Sequence, residues 1–119
     1  MIKNNLHIFN VTNRADSLLE DLYCEPAGVG PNNFPDHYLD SRVGENIQHK
    51  DPYYAEYVFH YWFWKNRLMN YENDAWLGFC QYRRYWLKEN CDQNLLITRK
   101  NLKDNILSSI PSIWSNYDA

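Results

Sequence analysis

The chain has 119 residues, enough for one domain with one modest core, or for a piece of something larger. Aromatic residues make up 17% of it, and 14 of its 20 rings fall between Tyr53 and Trp86; this much material for burial excludes a disordered chain. A net charge of −3 argues against a dedicated nucleic-acid binder, and no apolar run reaches the ~18 residues of a membrane-spanning helix.

Leu6–Val11 reads as a short buried strand that ends at the polar Thr12-Asn13-Arg14. Asp16–Tyr23 suits one or two helical turns, with Leu18, Leu19 and Leu22 at helical spacing. Cys24 to Gln48 is punctuated by Pro26, Gly28, Gly30, Pro31, Pro35 and Gly44, which predicts a long loop without regular elements. Loops of this length are often functional, and a surface excursion is the plainer reading.

Asp51-Pro52 is a good helix start, with Asp as N-cap and Pro at the first helical position. The helix should run to about Leu68 and stop near Asn70. Tyr54, Tyr57, Tyr61, Trp64 and Leu68 form one stripe; Val58, Trp62 and Met69 form a second, with Phe59 and Phe63 between them. A helix apolar nearly all round is expected to be buried by the fold or by a partner. Glu56 and His60, four residues apart, share a face within it. Ala75–Cys80 has the length and apolarity of a strand buried on both faces, as at the centre of a parallel or mixed sheet. Thr98 begins a capped helix over Arg99–Ile110, with Leu102, Ile106, Leu107 and Ile110 on one face and Pro111 at its end. Strand, loop, helix, strand and helix in this order make an α/β domain.

Two blocks carry the most specific signal: Gly44–Asn66 (GENIQHKDPYYAEYVFHYWFWKN) and Gly78–Trp86 (GFCQYRRYW). They resemble the domain-of-unknown-function family numbered 4422, glycosyltransferase-like proteins of bacterial capsular and exopolysaccharide gene clusters. Its members read D-N-I-S-x-K-N-x-x-Y-C-E-L-T-x-x-Y-W-x-W-K-N and then G-L-x-H-Y-R-R-Y-F. Asn46, Ile47, Lys50, Tyr54, Glu56, Tyr61, Trp62, Trp64, Lys65 and Asn66 match the first block. Gly78, Tyr82, Arg83, Arg84 and Tyr85 match the second, and Val29-Gly30 resembles a V-G that precedes both. Glu45, Gln48, Ala55, Tyr57, Val58 and His60 depart from the pattern. Gln81 stands where the family has histidine, and an amide hydrogen-bonds without titrating.

The resemblance implies a partial GT-A-like (Rossmann-like) nucleotide-sugar-binding sheet with flanking helices, and a chain that spans the N-terminal half of the family's domain. It implies transfer of a sugar from a nucleotide-sugar donor to a glycan acceptor in capsular, exopolysaccharide or lipopolysaccharide biosynthesis. The expected setting is the cytoplasm or the inner face of the membrane. A truncated, non-catalytic carbohydrate- or nucleotide-binding module that works through a partner chain is the alternative, and self-association through exposed rings goes with it.

The chemistry of the second block suits a diphosphate. Ligands of open α/β sheets bind beyond the carboxyl ends of strands, where Arg83 and Arg84 follow the apolar run. The guanidinium fork matches phosphate oxygens and would stabilise a leaving nucleoside diphosphate. The opposing reading leaves one arginine exposed and pairs the other with a carboxylate such as Glu56. Glu56 is either a base or a buttress that orients an arginine. Asn46 and Lys50 either bind ligand or cap the loop, and Trp64, Lys65, Asn66, Gln81 and Tyr82 complete the expected substrate-binding set. No Asp-x-Asp occurs in the chain, so no cofactor is evident; a divalent metal (Mg or Mn) would need ligands from outside it.

Overall fold

A computed structural model describes residues 5–50, 56–81 and 84–116. Its centre is a four-stranded parallel sheet of β1 (Leu6–Thr12), β2 (Glu25–Gly28), β3 (Leu39–Asp40) and β4 (Trp76–Gln81), in the order β3-β2-β1-β4. The register sets Phe9 beside both Glu25 and Phe79, and Asn10 beside both Pro26 and Cys80. All four carboxyl ends therefore point to one side of the sheet. Between β1 and β4 the strand order reverses, which opens a crevice beyond their carboxyl ends.

Alternation along β1 assigns the two faces. Phe9 and Val11 point to helix α1 (Tyr57–Asn66), where they join Ala27, Val29, Val58, Phe59, Trp62 and Phe63 in the main core. Phe9 is fully buried, with ring centroids of Phe63, Phe79 and Phe59 at 4.9, 5.6 and 6.0 Å. Leu6 and Ile8 point the other way, onto Leu107. Beside them Leu19, Leu22, Tyr38, Leu102 and Ile106 form a second cluster. A 3₁₀ turn over Ser17–Asp21, capped by Asp16 Oδ1 accepting from Leu18 N at 2.9 Å, realises the predicted helical turns after β1.

Several expectations are corrected. The segment Cys24–Gln48 contains β2 and β3, because β1 offers its edge to residues whose own composition argues for a loop. Pro26 has no N–H to donate, yet it sits in a strand only four residues long. Ala75–Cys80 does form a strand, but at the edge of the sheet among the described residues, half-buried throughout; β1 is the central one. Helix α1 ends at Asn66 and a separate 3₁₀ turn covers Leu68–Asn70, so helical structure stops near Asn70 as expected. The proposed cap at Asp51-Pro52 lies outside the described residues. Helix α1 is also buried on one face only, with Tyr57 61% and Trp64 56% exposed.

The C-terminal helix shrinks to one turn, α2 (Leu102–Asn105). Ile106 instead bridges antiparallel to Leu87, Lys88 N donates to Asn105 O at 2.9 Å, and Leu107 N donates to Trp86 O at 2.8 Å. Extended pairing buries the same apolar residues that suggested a helix face. The N-cap of α2 is Asn101 and not the expected Thr98, whose carbonyl accepts from Leu102 N at 3.0 Å in the turn that precedes the helix.

Candidate functional site

Residues at the β1/β4 end of the sheet meet across chain segments. Gln81 closes β4, and its Nε2 donates to Glu56 Oε1, at the residue preceding α1, at 2.6 Å. Gln81 O accepts from Arg84 N at 2.9 Å, and Arg84 is exposed. Glu56 is thus buttressed by the amide that occupies the family's histidine position. An amide–carboxylate bond of this kind fixes the carboxylate and excludes the proton shuttling an imidazole would allow.

At the same end of β4 lies Asn10, a residue that pattern reading passed over inside an apolar strand. It is fully buried, and its Nδ2 donates to Gln81 O and towards Cys80 Sγ, both at 3.3 Å, while its Oδ1 has no partner among the described residues. A buried amide in a strand is costly unless bonded. Its presence in LHIFNV was the available signal; the amide ties β1 to the end of β4. Burial raises the neighbouring Cys80 thiol to about 11 despite the Asn10 bond, and raises Cys24 to about 12. Neither is a nucleophile at neutral pH.

His60 lies one turn after Glu56. Its ring packs on Phe79 at 5.0 Å and on Tyr57 at 5.5 Å. Burial lowers its pKa below the ordinary imidazole value, and the Glu56 charge only partly opposes this. It serves as a neutral ring in an apolar layer, as its apolar family position suggests.

The other predicted residues gather in a second place. The loop Val43–Lys50 is clamped along α1, with Ile47 packed against the main core. Trp62 Nε1 donates to Val43 O, and Asn66 Nδ2 donates to Glu45 O at 2.8 Å and Trp62 O at 2.9 Å. Tyr61 Oη donates to Glu45 Oε2 at 2.7 Å, a bond that raises the phenol's pKa. Lys65 Nζ sits 4.0 Å from the centroid of Trp64 and 3.8 Å from Glu45 Oε2. Asn46 spends its amide inside the loop, donating to Arg42 O and Gly44 O and accepting from Gln48 N. Gly44, at φ +84°, lets the chain turn where a side chain would strike Asn66. Lys50 ends an exposed 3₁₀ turn.

Of the ten predicted site residues, the structure joins Glu56, Gln81 and Arg84 at the crevice. Asn46, Trp64, Lys65 and Asn66 belong to the clamp; Trp64 lies eight residues along α1 from Glu56, about 12 Å of axial rise. Tyr82 and Arg83 lie outside the described residues. Among the described residues no group of three or more His, Cys, Asp or Glu side chains is placed to hold a metal ion. No helix among them is long and apolar enough to cross a membrane.

Comparison with known proteins follows the same lines. The sequence profile of a family described as a domain of unknown function (DUF4422) matches residues 7–117. The fold is similar to a solved structure described as the apo form of the WbbM bifunctional glycosyltransferase, with a TM-score of 0.58 and 26% sequence identity. The likeness covers 80% of this chain and 16% of that one. None of the curated proteins matches the chain.

Proposed function

The chain belongs to the DUF4422 family and has a glycosyltransferase-like fold, and from this premise we propose that it forms the donor half of a sugar-transfer site. The donor is a nucleotide-sugar, the acceptor a glycan hydroxyl, and the setting the assembly of a bacterial surface polysaccharide on the cytoplasmic side. Supporting this reading above all is the exposed Arg84 just past the carboxyl end of β4, at the point where the strand order reverses and where Gln81 holds the Glu56 carboxylate.

In this reading Arg84, with Arg83, binds the diphosphate and offsets its charge as the bond from sugar C1 to phosphate oxygen breaks. The nucleoside diphosphate leaves with the electron pair, and the acceptor oxygen bonds to C1 and gives up its proton. Glu56 stands near the departing charge, held by Gln81, where it orients the arginines or receives that proton. The clamp of Asn46, Trp62 and Asn66 fixes the loop that leads into α1 and so positions Glu56 at a distance. A second reading, a binding module that requires a partner chain for turnover, is favoured by Gln81, which cannot titrate.

The test incubates the chain with a panel of nucleotide-sugars and follows release of nucleoside diphosphate, with Arg84→Ala and Glu56→Gln beside it. Turnover that falls at least about tenfold in Arg84→Ala supports the transfer reading. Binding without turnover in any variant supports the module. Absence of both binding and turnover overturns the donor assignment.

A further inference from the structure

A cavity of about 510 Å³ is lined in part by Tyr85, the residue that follows Arg84, and its volume lies within the range of roughly 300–1,000 Å³ typical of small-molecule sites. Leu18, Tyr85, Ile97 and Leu102 make its apolar walls, and Thr98 and Arg99 its polar rim. We infer that this cavity receives the nucleoside of the donor, an inference that rests on the donor reading above.

Three observations point there. First, Tyr85 is bonded directly to Arg84, so the cavity wall begins at the residue next in the chain to the arginine assigned to the diphosphate. Secondly, Leu18 stands on the 3₁₀ turn that the chain enters after β1, so the walls come from the exits of the two strands that flank the reversal of strand order. Thirdly, the lining has the chemistry of a base site. An apolar slot with one aromatic wall suits a flat heterocycle, and a hydroxyl and a guanidinium at the rim suit its polar edge. Thr98 and Arg99 are the polar side chains of the lining, fewer than a sugar's several hydroxyls would need.

The rim is held in place. Arg99 Nη2 and Nη1 donate to Asp16 Oδ1 and Oδ2 at 3.0 and 3.2 Å. Asp16 also caps the turn that carries Leu18. This single carboxylate therefore joins the wall after β1 to the rim on the C-terminal segment, and the slot is formed before any ligand arrives. Preformation of this kind lowers the ordering cost of binding.

Calorimetric titration of the whole chain with UDP, dTDP, CDP and GDP, and with inorganic pyrophosphate, tests this. One nucleoside diphosphate should bind at least about tenfold more tightly than pyrophosphate, the surplus coming from the buried base. Ile97→Trp and Thr98→Trp, which fill the slot from wall and rim, should erase that surplus and leave pyrophosphate affinity unchanged. Arg84→Ala should weaken both ligands. Thr98 is exposed, so its variant keeps the test valid if Ile97→Trp fails to fold. Nucleotide binding that persists undiminished in both folded variants overturns the cavity assignment and leaves the donor reading standing. Wild-type chain that binds no nucleoside diphosphate overturns the donor reading, and the cavity assignment with it.

Discussion

Gly44→Ala isolates what the clamp contributes. At φ +84° an alanine occupies the left-handed region at a cost of about 1–2 kcal/mol, offset by about 0.5 kcal/mol from the stiffer unfolded chain. Its Cβ would also lie 2.5 Å from Asn66 Oδ1, so the amide must swing away. That movement endangers two hydrogen bonds, to Glu45 O and Trp62 O, each worth about 0.5–1.5 kcal/mol. The combined loss is about 2–4 kcal/mol, which in a chain of this size lowers Tm by about 10 °C. Urea unfolding followed by circular dichroism measures it. On an Asn66→Ala background the clash is gone, and the same substitution should cost only about 1 kcal/mol, the backbone part. Gly78→Ala is the control, because its Cβ would press on the flexible end of Ile8 and otherwise make ordinary contact with Trp86 Nε1. A Gly44→Ala chain as stable as wild type, or a loss identical on both backgrounds, refutes the clamp.

Phe9→Ala removes the ring at the centre of the main core and should cost about 3–5 kcal/mol, read as a collapse of the cooperative melt. An intact melt would place the core elsewhere. His60, its pKa lowered by burial, stays neutral in the fold at a pH where the unfolded chain already takes up a proton. Stability should therefore fall as pH drops from about 6.5 through the folded value, and His60→Phe should flatten that slope; equal slopes in both chains contradict the assignment. Cys24 and Cys80, raised by burial to about 12 and about 11, expose a thiolate fraction of roughly one in ten thousand and one in a thousand at pH 8. Both should label with a thiol reagent only after denaturant is added, and mass spectrometry of digested chain checks this.

How far the sequence revealed the fold depended on how each element is held. β1 and β4 were readable because LHIFNV and AWLGFC carry their own apolar runs. β2 and β3 were not, since Glu25-Pro26-Ala27-Gly28 and Leu39-Asp40 become strands only by pairing with a neighbour already in place. The C-terminal helix misled for a related reason: Leu102, Ile106 and Leu107 satisfy helical spacing, and a bridge to Leu87 buries them equally well. The arginines after β4 could be placed beyond a strand end from order alone. The bond between Glu56 and Gln81 could not, because it requires the start of α1 to pack beside the end of β4. Conversely, Asn46 and Asn66 looked like ligand groups by type, and only the contacts show their amides spent on carbonyls of the loop and helix.

The central claim is that the carboxyl ends of β1 and β4 form a nucleotide-sugar donor site. Backbone amide mapping by nuclear magnetic resonance, with a nucleoside diphosphate titrated into the labelled chain, tests it most directly. The account predicts shifts concentrated at Thr12–Leu18, Gln81, Arg84 and Tyr85, with Val43–Lys50 unmoved. Shifts confined to the clamp, or none anywhere at millimolar ligand, would contradict it.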